Sequence, residues 1–185
     1  DERVADYLFD QFRKTEGFDL RELPEDQGRM SVVQRVLEAG EQVKCELSDQ
    51  DEAEVSLPFI CNWEGTPRHL NISLTRETFD TITRDLVEAT ADPVRRAVAD
   101  SGISDDDLDA VILVGGTTRI PAVREQVTGI LSMDPLAGID PDKIVAVGAS
   151  IQAGVKRGML EDLVIIDVAP YTLGIETAGD KFSTI

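Results

Sequence analysis

One stretch of the chain limits its possible folds more than any other. Residues 110–114 are continuously apolar, which is typical of a strand buried on both faces in an α/β protein. Gly115 and Gly116 follow directly, and a helix is predicted to begin at about Ile120. Glycines let a ligand approach the backbone closely, and the N–H groups of a first helical turn favour anions. The stretch therefore predicts an α/β (α+β) fold, with either a ligand-binding turn or a plain strand–helix turn at Gly115.

The rest of the chain is predicted to form helices and one β-hairpin. Apolar periodicity predicts helices over residues 3–14 and 30–47, after an N-cap at Thr75, from Pro93 to near Gly102, from Ile120, and from Pro141 to about Arg157. Two alternating segments, 53–63 and 69–74, flank a turn at residues 64–67 and predict an antiparallel hairpin. Gly40 lies on the apolar arc of the second helix, where the missing side chain permits another element to pack closely.

Composition excludes several classes of partner. The 36 acidic and 18 basic side chains give a formal net charge of -18, which repels nucleic-acid phosphates. Cys45 and Cys61 lie far apart, and with His69 as the only histidine they cannot form a zinc site at the usual spacing. Two unpaired cysteines favour a reducing cytosol. No apolar run suits a membrane span and no signal peptide is visible. We therefore expect a cytoplasmic protein that binds neither nucleic acid nor membranes.

A second candidate site lies on the second predicted helix. Glu41, Lys44 and Ser48 are spaced by three and four residues, which places them along one edge of that helix. A carboxylate, an ammonium and a hydroxyl together could hold the hydroxyls of a ribose and the edge of a base. The alternative is a solvated Glu–Lys pair on the surface, which stabilises a protein little.

Two further segments have both a structural and a functional interpretation. In the run Asp140-Pro141-Asp142, Asp140 is a predicted helix cap and Asp142 lies in the first helical turn, where negative charge is favoured; either could also contact a ligand. A later apolar run is either a buried strand or a linker that docks in one state and is released in another. It consists of Leu163, Val164, Ile165, Ile166 and Asp167.

These features, in this order, resemble the heat-shock protein 70 (DnaK) family of chaperones. The most specific stretches are 115–121, 140–142 with the small-residue helix after it, and 163–167, and the pattern continues through 173–177. The resemblance covers nearly the whole chain and implies an actin-like ATPase fold, of which only lobe II is present. It implies an upper subdomain at 1–84, a partial lower subdomain at 85–158, an interdomain linker at 159–168, and the first strand of a substrate-binding β-domain at 169–185.

The resemblance also implies which residues contact a nucleotide. By position, the adenosine of ATP or ADP would be contacted by Glu41, Lys44, Ser48, Gly115, Gly116, Thr117, Arg119, Ile120 and Asp142. Arg119 would lie against the adenine ring. Some family members place an arginine on the opposite face, where this chain has Cys45, so a two-sided guanidinium sandwich is not expected here.

No catalytic residue is expected within the chain. The chain starts at Asp1 inside a predicted helix and stops at Ile185 inside a predicted strand, so we expect a piece of a longer parent. The resemblance implies that the phosphate-binding loops, the catalytic lysine and the Mg²⁺-positioning carboxylates lie upstream of Asp1. We expect the parent to hydrolyse ATP and this fragment to be inactive. We also expect the fragment to self-associate, because the predicted strand at Val111 lacks sheet neighbours.

The leading functional hypothesis is an ATP-dependent chaperone acting in protein folding and the stress response. Unfolded, hydrophobic peptides as clients, a J-domain co-chaperone and a nucleotide exchange factor are implied by the family alone. One alternative is a degenerate module that docks protein partners without chemistry. Another is a different actin-like ATPase, such as a sugar kinase or filament protein, although the linker-like run and the sequence at 173–177 argue against it.

Overall fold

The protein is described by a computed structural model that covers residues 1–103, 107–160, 172–177 and 181–184. The chain divides into two compact units, Asp1–Pro141 and Asp142–Ile185, and each is described separately. The predicted linker at 163–167 lies outside the described residues, so it stays a prediction.

Two packed helices open the first unit. Helix α1 (Glu2–Glu16) ends at Gly17, whose φ of 83° is left-handed and whose N–H donates to the Arg13 carbonyl; glycine adopts this conformation without steric cost. Two short 3-10 turns, Leu20–Glu22 and Glu25–Gln27, lead to helix α2 (Arg29–Asp49). Both helices were predicted, and each is a residue or two longer at either end than predicted.

A β-hairpin follows α2, as predicted. Strand β1 (Glu52–Trp63) pairs antiparallel with strand β2 (Thr66–Thr75), with Val55 opposite Ile72. The register shifts between Leu57 and Cys61, and Phe59 within this bulge has a φ of 52°. The alternation of the sequence predicts the pairing because one face of the hairpin is buried against the helices.

Three more α-helices lie in the described part of the first unit. Helix α3 (Arg76–Ala89) is capped by Thr75, whose side chain accepts a hydrogen bond from Thr78 N–H at 3.2 Å. Helix α4 (Ala91–Ser101) ends at Gly102 in the left-handed conformation. Helix α5 (Pro121–Leu131) begins with a proline, which has no N–H to leave unpaired in a first turn. The three helix predictions are confirmed.

The second unit contains one helix and a short hairpin in its described part. Helix α6 (Ile144–Lys156) is apolar. Strands β3 (Gly174–Thr177) and β4 (Lys181–Thr184) pair antiparallel, so the segment predicted to hold one strand holds two.

Two predictions about local structure are wrong. Residues 110–114 form no regular strand, and Ile112 and Val114 are half exposed. The described residues provide no neighbouring strand, and an apolar segment cannot form a sheet without one. Asp140 does not cap α6, because that helix begins only at Ile144 with Lys143 in the N-cap position.

The buried core lies within the first unit. The side chains with least exposure come from α1, the segment between α1 and α2, α2, the hairpin and the start of α3. They include Val4, Leu8, Phe9, Phe12, Leu20, Leu23, Val36, Val43, Leu47, Leu70, Leu74 and Phe79. This core fixes the mutual positions of α1, α2 and α3, the helices that contribute to the cavity described next.

Candidate functional site

A cavity of about 530 Å³ opens between four helices of the first unit. Its volume lies within the range of about 300–1,000 Å³ that is usual for small-molecule sites. The lining combines charged, hydroxyl and apolar side chains. The lining residues are Asp1, Glu2, Arg3, Asp6, Lys44, Phe79, Thr83, Leu86, Val87, Thr90, Thr117, Ile120 and Val123. Three sequence-predicted residues, Lys44, Thr117 and Ile120, are among them.

Lys44 contributes a positive charge to the cavity from α2, and Arg3 contributes another from α1. Its Nζ lies 2.6 Å from Asp1 Oδ1, and its side chain is only 24% exposed. This ion pair uses one of the three N–H donors of an ammonium group. The arrangement orients the ammonium at the cavity wall and leaves it capable of donating to a polar ligand.

The close packing of α1 on α2 brings Asp1 to Lys44. A Cβ atom at Gly40 would lie 3.2 Å from Ala5 N and 3.3 Å from Asp1 O. Both are backbone atoms of the first turn of α1, so a side chain at this position would push that turn away. The predicted role of Gly40 in close packing is confirmed.

The other two predicted residues of α2 lie beside Lys44 but do not line the cavity in the described part of the structure. Glu41 is exposed on the helix surface. Ser48 is half-buried, and its Oγ donates to the Lys44 carbonyl at 3.3 Å. The structure therefore brings one of the three residues to the cavity and places the others on the same helix, one turn to either side.

The glycine turn reaches the cavity through the residues that follow it. Gly115 has a φ of 91°, a conformation that residues with a Cβ rarely adopt, and its N–H donates to the Pro141 carbonyl at 3.0 Å. Residues Gly116–Arg119 form a 3-10 turn, within which Thr118 N–H donates to the Gly115 carbonyl at 3.0 Å. Pro121, the first residue of α5, has no N–H to donate to an anion.

Arg119 lies at the end of the same turn. Its Nη2 is 2.7 Å from Asp140 Oδ1, and the arginine side chain is 48% exposed. The aspartate that was expected to cap α6 thus orients a guanidinium instead. This ion pair joins one guanidinium nitrogen of Arg119 to one carboxylate oxygen, and a planar guanidinium can stack on an aromatic ring.

Asp142 belongs to the second unit, where it is exposed and lies in the turn before α6. Its assignment to an adenosine site stays a prediction. Within the described residues, no cluster of three or more histidine, cysteine, aspartate or glutamate side chains is arranged to hold a metal ion. None of the described helices is long and apolar enough to cross a membrane.

Several residues of the cavity were not predicted. Asp1 pairs with Lys44 across two helices, and no local sequence pattern indicates such a contact. The α3 residues Phe79, Thr83, Leu86 and Val87 line the cavity as well. The apolar periodicity of α3 predicted that one face of this helix is buried. It did not predict that part of this face lines a cavity.

The sequence matches a known protein family over its whole given length. The sequence model of the family described as "Hsp70 protein" matches residues 1–185. The chain belongs to the Hsp70 family. This confirms the resemblance drawn from the motifs. Hsp70 proteins are ATP-hydrolysing chaperones that bind ATP or ADP with Mg²⁺, and their ATPase domain has an actin-like fold. The mixed helices and sheets of the chain are consistent with that fold.

Proposed function

We propose that this chain forms the adenosine-binding half of the ATPase domain of a DnaK-like chaperone. The observation that carries the proposal is the cavity shared by α2 and the glycine-rich turn. Lys44 and Thr117, nominated from separate motifs 73 residues apart in the sequence, line the same cavity. An adenosine bound there would contact Lys44 of α2 and Thr117 of the glycine-rich turn at the same time.

The residues of the cavity fit an adenosine in their chemistry. Its apolar lining, which includes Phe79 of α3 and Ile120 just before α5, favours a flat, largely apolar base. Lys44 supplies a donor for ribose hydroxyls or ring nitrogens, and Asp1 beside it is an acceptor. Arg119, oriented by Asp140, is the residue we assign to the adenine face. Glu41, Ser48, Gly115, Gly116 and Asp142 are assigned from the family resemblance.

Hydrolysis is assigned to a longer parent rather than to residues 1–185. Bound ATP would supply the phosphoryl group whose transfer to water drives a chaperone cycle, and that transfer depends on groups that position the phosphates and Mg²⁺. We match no phosphate-binding loop or catalytic lysine within these residues. The chain's own residues would bind and orient the nucleoside.

The coupling to client binding is also part of the proposal. We assign residues 1–84 and 85–158 to the two subdomains of lobe II, 159–168 to the interdomain linker, and 169–185 to the start of the peptide-binding domain. Nucleotide would shift the lobes, and the linker around Ile165 would dock or detach accordingly, as a two-state element biased by a ligand. Unfolded peptides, a J-domain co-chaperone and an exchange factor are the partners proposed on this basis, in the cytoplasm.

Calorimetric titration of the parent protein with ADP tests the nucleotide assignment. Removing a charged hydrogen-bonding group costs about 1.5–3 kcal/mol, so we expect Lys44→Ala and Arg119→Ala each to raise the Kd about tenfold or more. The matched control is Arg95→Ala on α4. Arg95 forms a loose ion pair of 3.6 Å with Asp92, with both side chains more than 60% exposed, and we expect its removal to leave the Kd unchanged.

The result also separates the proposal from a docking module without chemistry. Such a module has no nucleotide affinity to lose, so a wild-type parent that shows no heat of binding with ADP or ATP would overturn the proposal. Equal Kd values for wild type, Lys44→Ala and Arg119→Ala would do the same for the assigned site.

A further inference from the structure

The guanidinium of Arg76 closes the end of the helix that carries Lys44. Arg76 is the first residue of α3. Its Nε donates to the Leu47 carbonyl at 2.9 Å, and its Nη2 donates to the Gln50 carbonyl at 2.7 Å. Its Nη1 lies 2.7 Å from Asp51 Oδ1, and its backbone N–H donates to the Asp51 carbonyl at 2.8 Å. One side chain thus binds the last turn of α2 and the residues just after it.

These contacts occupy groups that a helix end leaves unpaired. The last four carbonyls of an α-helix have no partner within the helix, and Leu47 contributes one of them because α2 ends at Asp49. A cation near a helix C-terminus is also favoured by the helix dipole. The planar fork of an arginine reaches two carbonyls in fixed directions, whereas a lysine ammonium is a single point charge. The geometry therefore sets the orientation of this helix end relative to α3.

The same two helices both line the cavity. Lys44 lies one turn before Leu47 on α2, while Phe79 and Thr83 line the cavity from α3, one and two turns after Arg76. Lys44 is in turn tied to the final turn, because its carbonyl accepts from Ser48 Oγ at 3.3 Å. A change in the angle at the α2–α3 junction moves the Lys44 ammonium relative to the wall that α3 provides.

We propose that Arg76 is a positioning residue for nucleotide binding, acting through the last turn of α2 on Lys44. The inference rests on the proposed nucleotide site and adds to it a residue outside the cavity lining. Asp51, whose carboxylate is 93% exposed, contributes little, since exposed ion pairs are weak. The carbonyl contacts at Leu47 and Gln50 carry the effect.

The test is a double-mutant cycle on ADP affinity in the parent protein. Kd values are measured by calorimetry for wild type, Arg76→Ala, Lys44→Ala and the double variant. If Arg76 acts through Lys44, the effects of the two substitutions are not additive. We therefore expect Arg76→Ala to raise the Kd for ADP about 5- to 10-fold in the wild type but less than about 2-fold in the Lys44→Ala background. A residue that only stabilises the fold gives the same ratio in both backgrounds.

Two further variants test whether the carbonyl contacts of Arg76, and not its charge or its ion pair with Asp51, are responsible for the effect. Arg76→Lys keeps the charge but loses the fork, and we expect it to behave like Arg76→Ala in the Kd. Asp51→Asn keeps both carbonyl contacts, and we expect it to bind ADP like the wild type. A thermal melt followed by circular dichroism verifies that each variant is folded at the temperature of the titration.

The outcomes distinguish this inference from the proposed function. If Lys44→Ala weakens binding while Arg76→Ala and Arg76→Lys do not, the positioning role of Arg76 is wrong and the nucleotide site stands. Equal effects of Arg76→Ala in both backgrounds also overturn the positioning role. If Lys44→Ala itself has no effect, the nucleotide site fails first.

Discussion

Replacing Gly40 with alanine tests whether the contact between α1 and α2 is as close as the structure indicates. An alanine inside a helix normally stabilises it by about 0.5–1 kcal/mol relative to glycine. Here the added Cβ would lie 3.2 Å from Ala5 N and 3.3 Å from Asp1 O. Ala5 is only 1% exposed, so its backbone cannot move without disturbing the core. Overpacking of this kind costs about 1–3 kcal/mol, and we expect a net loss of about 1 kcal/mol.

Gly129 provides the matched control. It lies within α5, and a Cβ at that position would meet no atom within 4 Å. Gly129→Ala should therefore show the helix preference alone and stabilise the protein by about 0.5–1 kcal/mol. The two substitutions make the same chemical change, so the difference in their unfolding free energies isolates the contact at Gly40.

The assay is unfolding in urea, followed by the fluorescence of Trp63 and by circular dichroism. Trp63 stacks on Phe18 with ring centroids 4.2 Å apart, so its emission reports the packing of the first unit. Coincident transitions from the two probes justify a two-state free energy. If Gly40→Ala stabilises the protein as much as Gly129→Ala does, the close approach of α1 to α2 is wrong, and with it the placement of Asp1 beside Lys44.

Two further predictions concern acid stability and association. Asp19 is 6% exposed, and hydrogen bonds from Arg21 hold the pKa of its carboxyl below the ordinary value. Its stabilising contribution is therefore present above the unfolded-state pKa of about 3.9 and is lost as the pH falls through the folded-state pKa. We expect Asp19→Ala to lower the unfolding free energy by about 1.5–3 kcal/mol at pH 7 and by progressively less as the pH falls below about 3.9; a loss that does not change with pH contradicts the ionic role. We also expect concentration-dependent self-association in light scattering, because Ile112 and Val114 are half exposed, and we expect Ile112→Lys to reduce it; a wild-type monomer at high concentration contradicts this expectation.

The helices and the hairpin were predictable because their patterns are local. The apolar periodicity of α1 and α2 is a property of each segment alone, and the stop at Gly17 needs only the left-handed conformation that glycine adopts easily. The strand predicted at residues 110–114 is different. A strand exists only with a neighbour, and the sequence of the segment carries no information about which residues pair with it.

The candidate site was predictable residue by residue but not as an assembly. The spacing of Lys44 and the glycines before Thr117 pointed to two separate ligand-binding segments, and the structure brings Lys44 and Thr117 to one cavity. The partner of Lys44 is Asp1, 43 positions away on another helix. Likewise, Asp140 was predicted to cap a helix, and it pairs with Arg119. Contacts of this kind depend on packing between elements, which periodicity within one element cannot predict.

The proposed nucleotide site depends on helix α2, and contacts at three successive positions along this helix hold it in place. Gly40 sets its distance from α1, Lys44 pairs with Asp1 one turn later, and the end of the helix is bound by Arg76. Removing each of these contacts has a different expected effect. We expect Gly40→Ala to lower the unfolding free energy and to move Asp1 away from Lys44. Lys44→Ala removes a ligand contact and has little effect on the core. Arg76→Ala changes the orientation of the end of α2 and leaves its packing at Gly40 intact. Because these three changes predict different combinations of unfolding free energy and Kd, measuring both quantities for each variant identifies which contact governs binding.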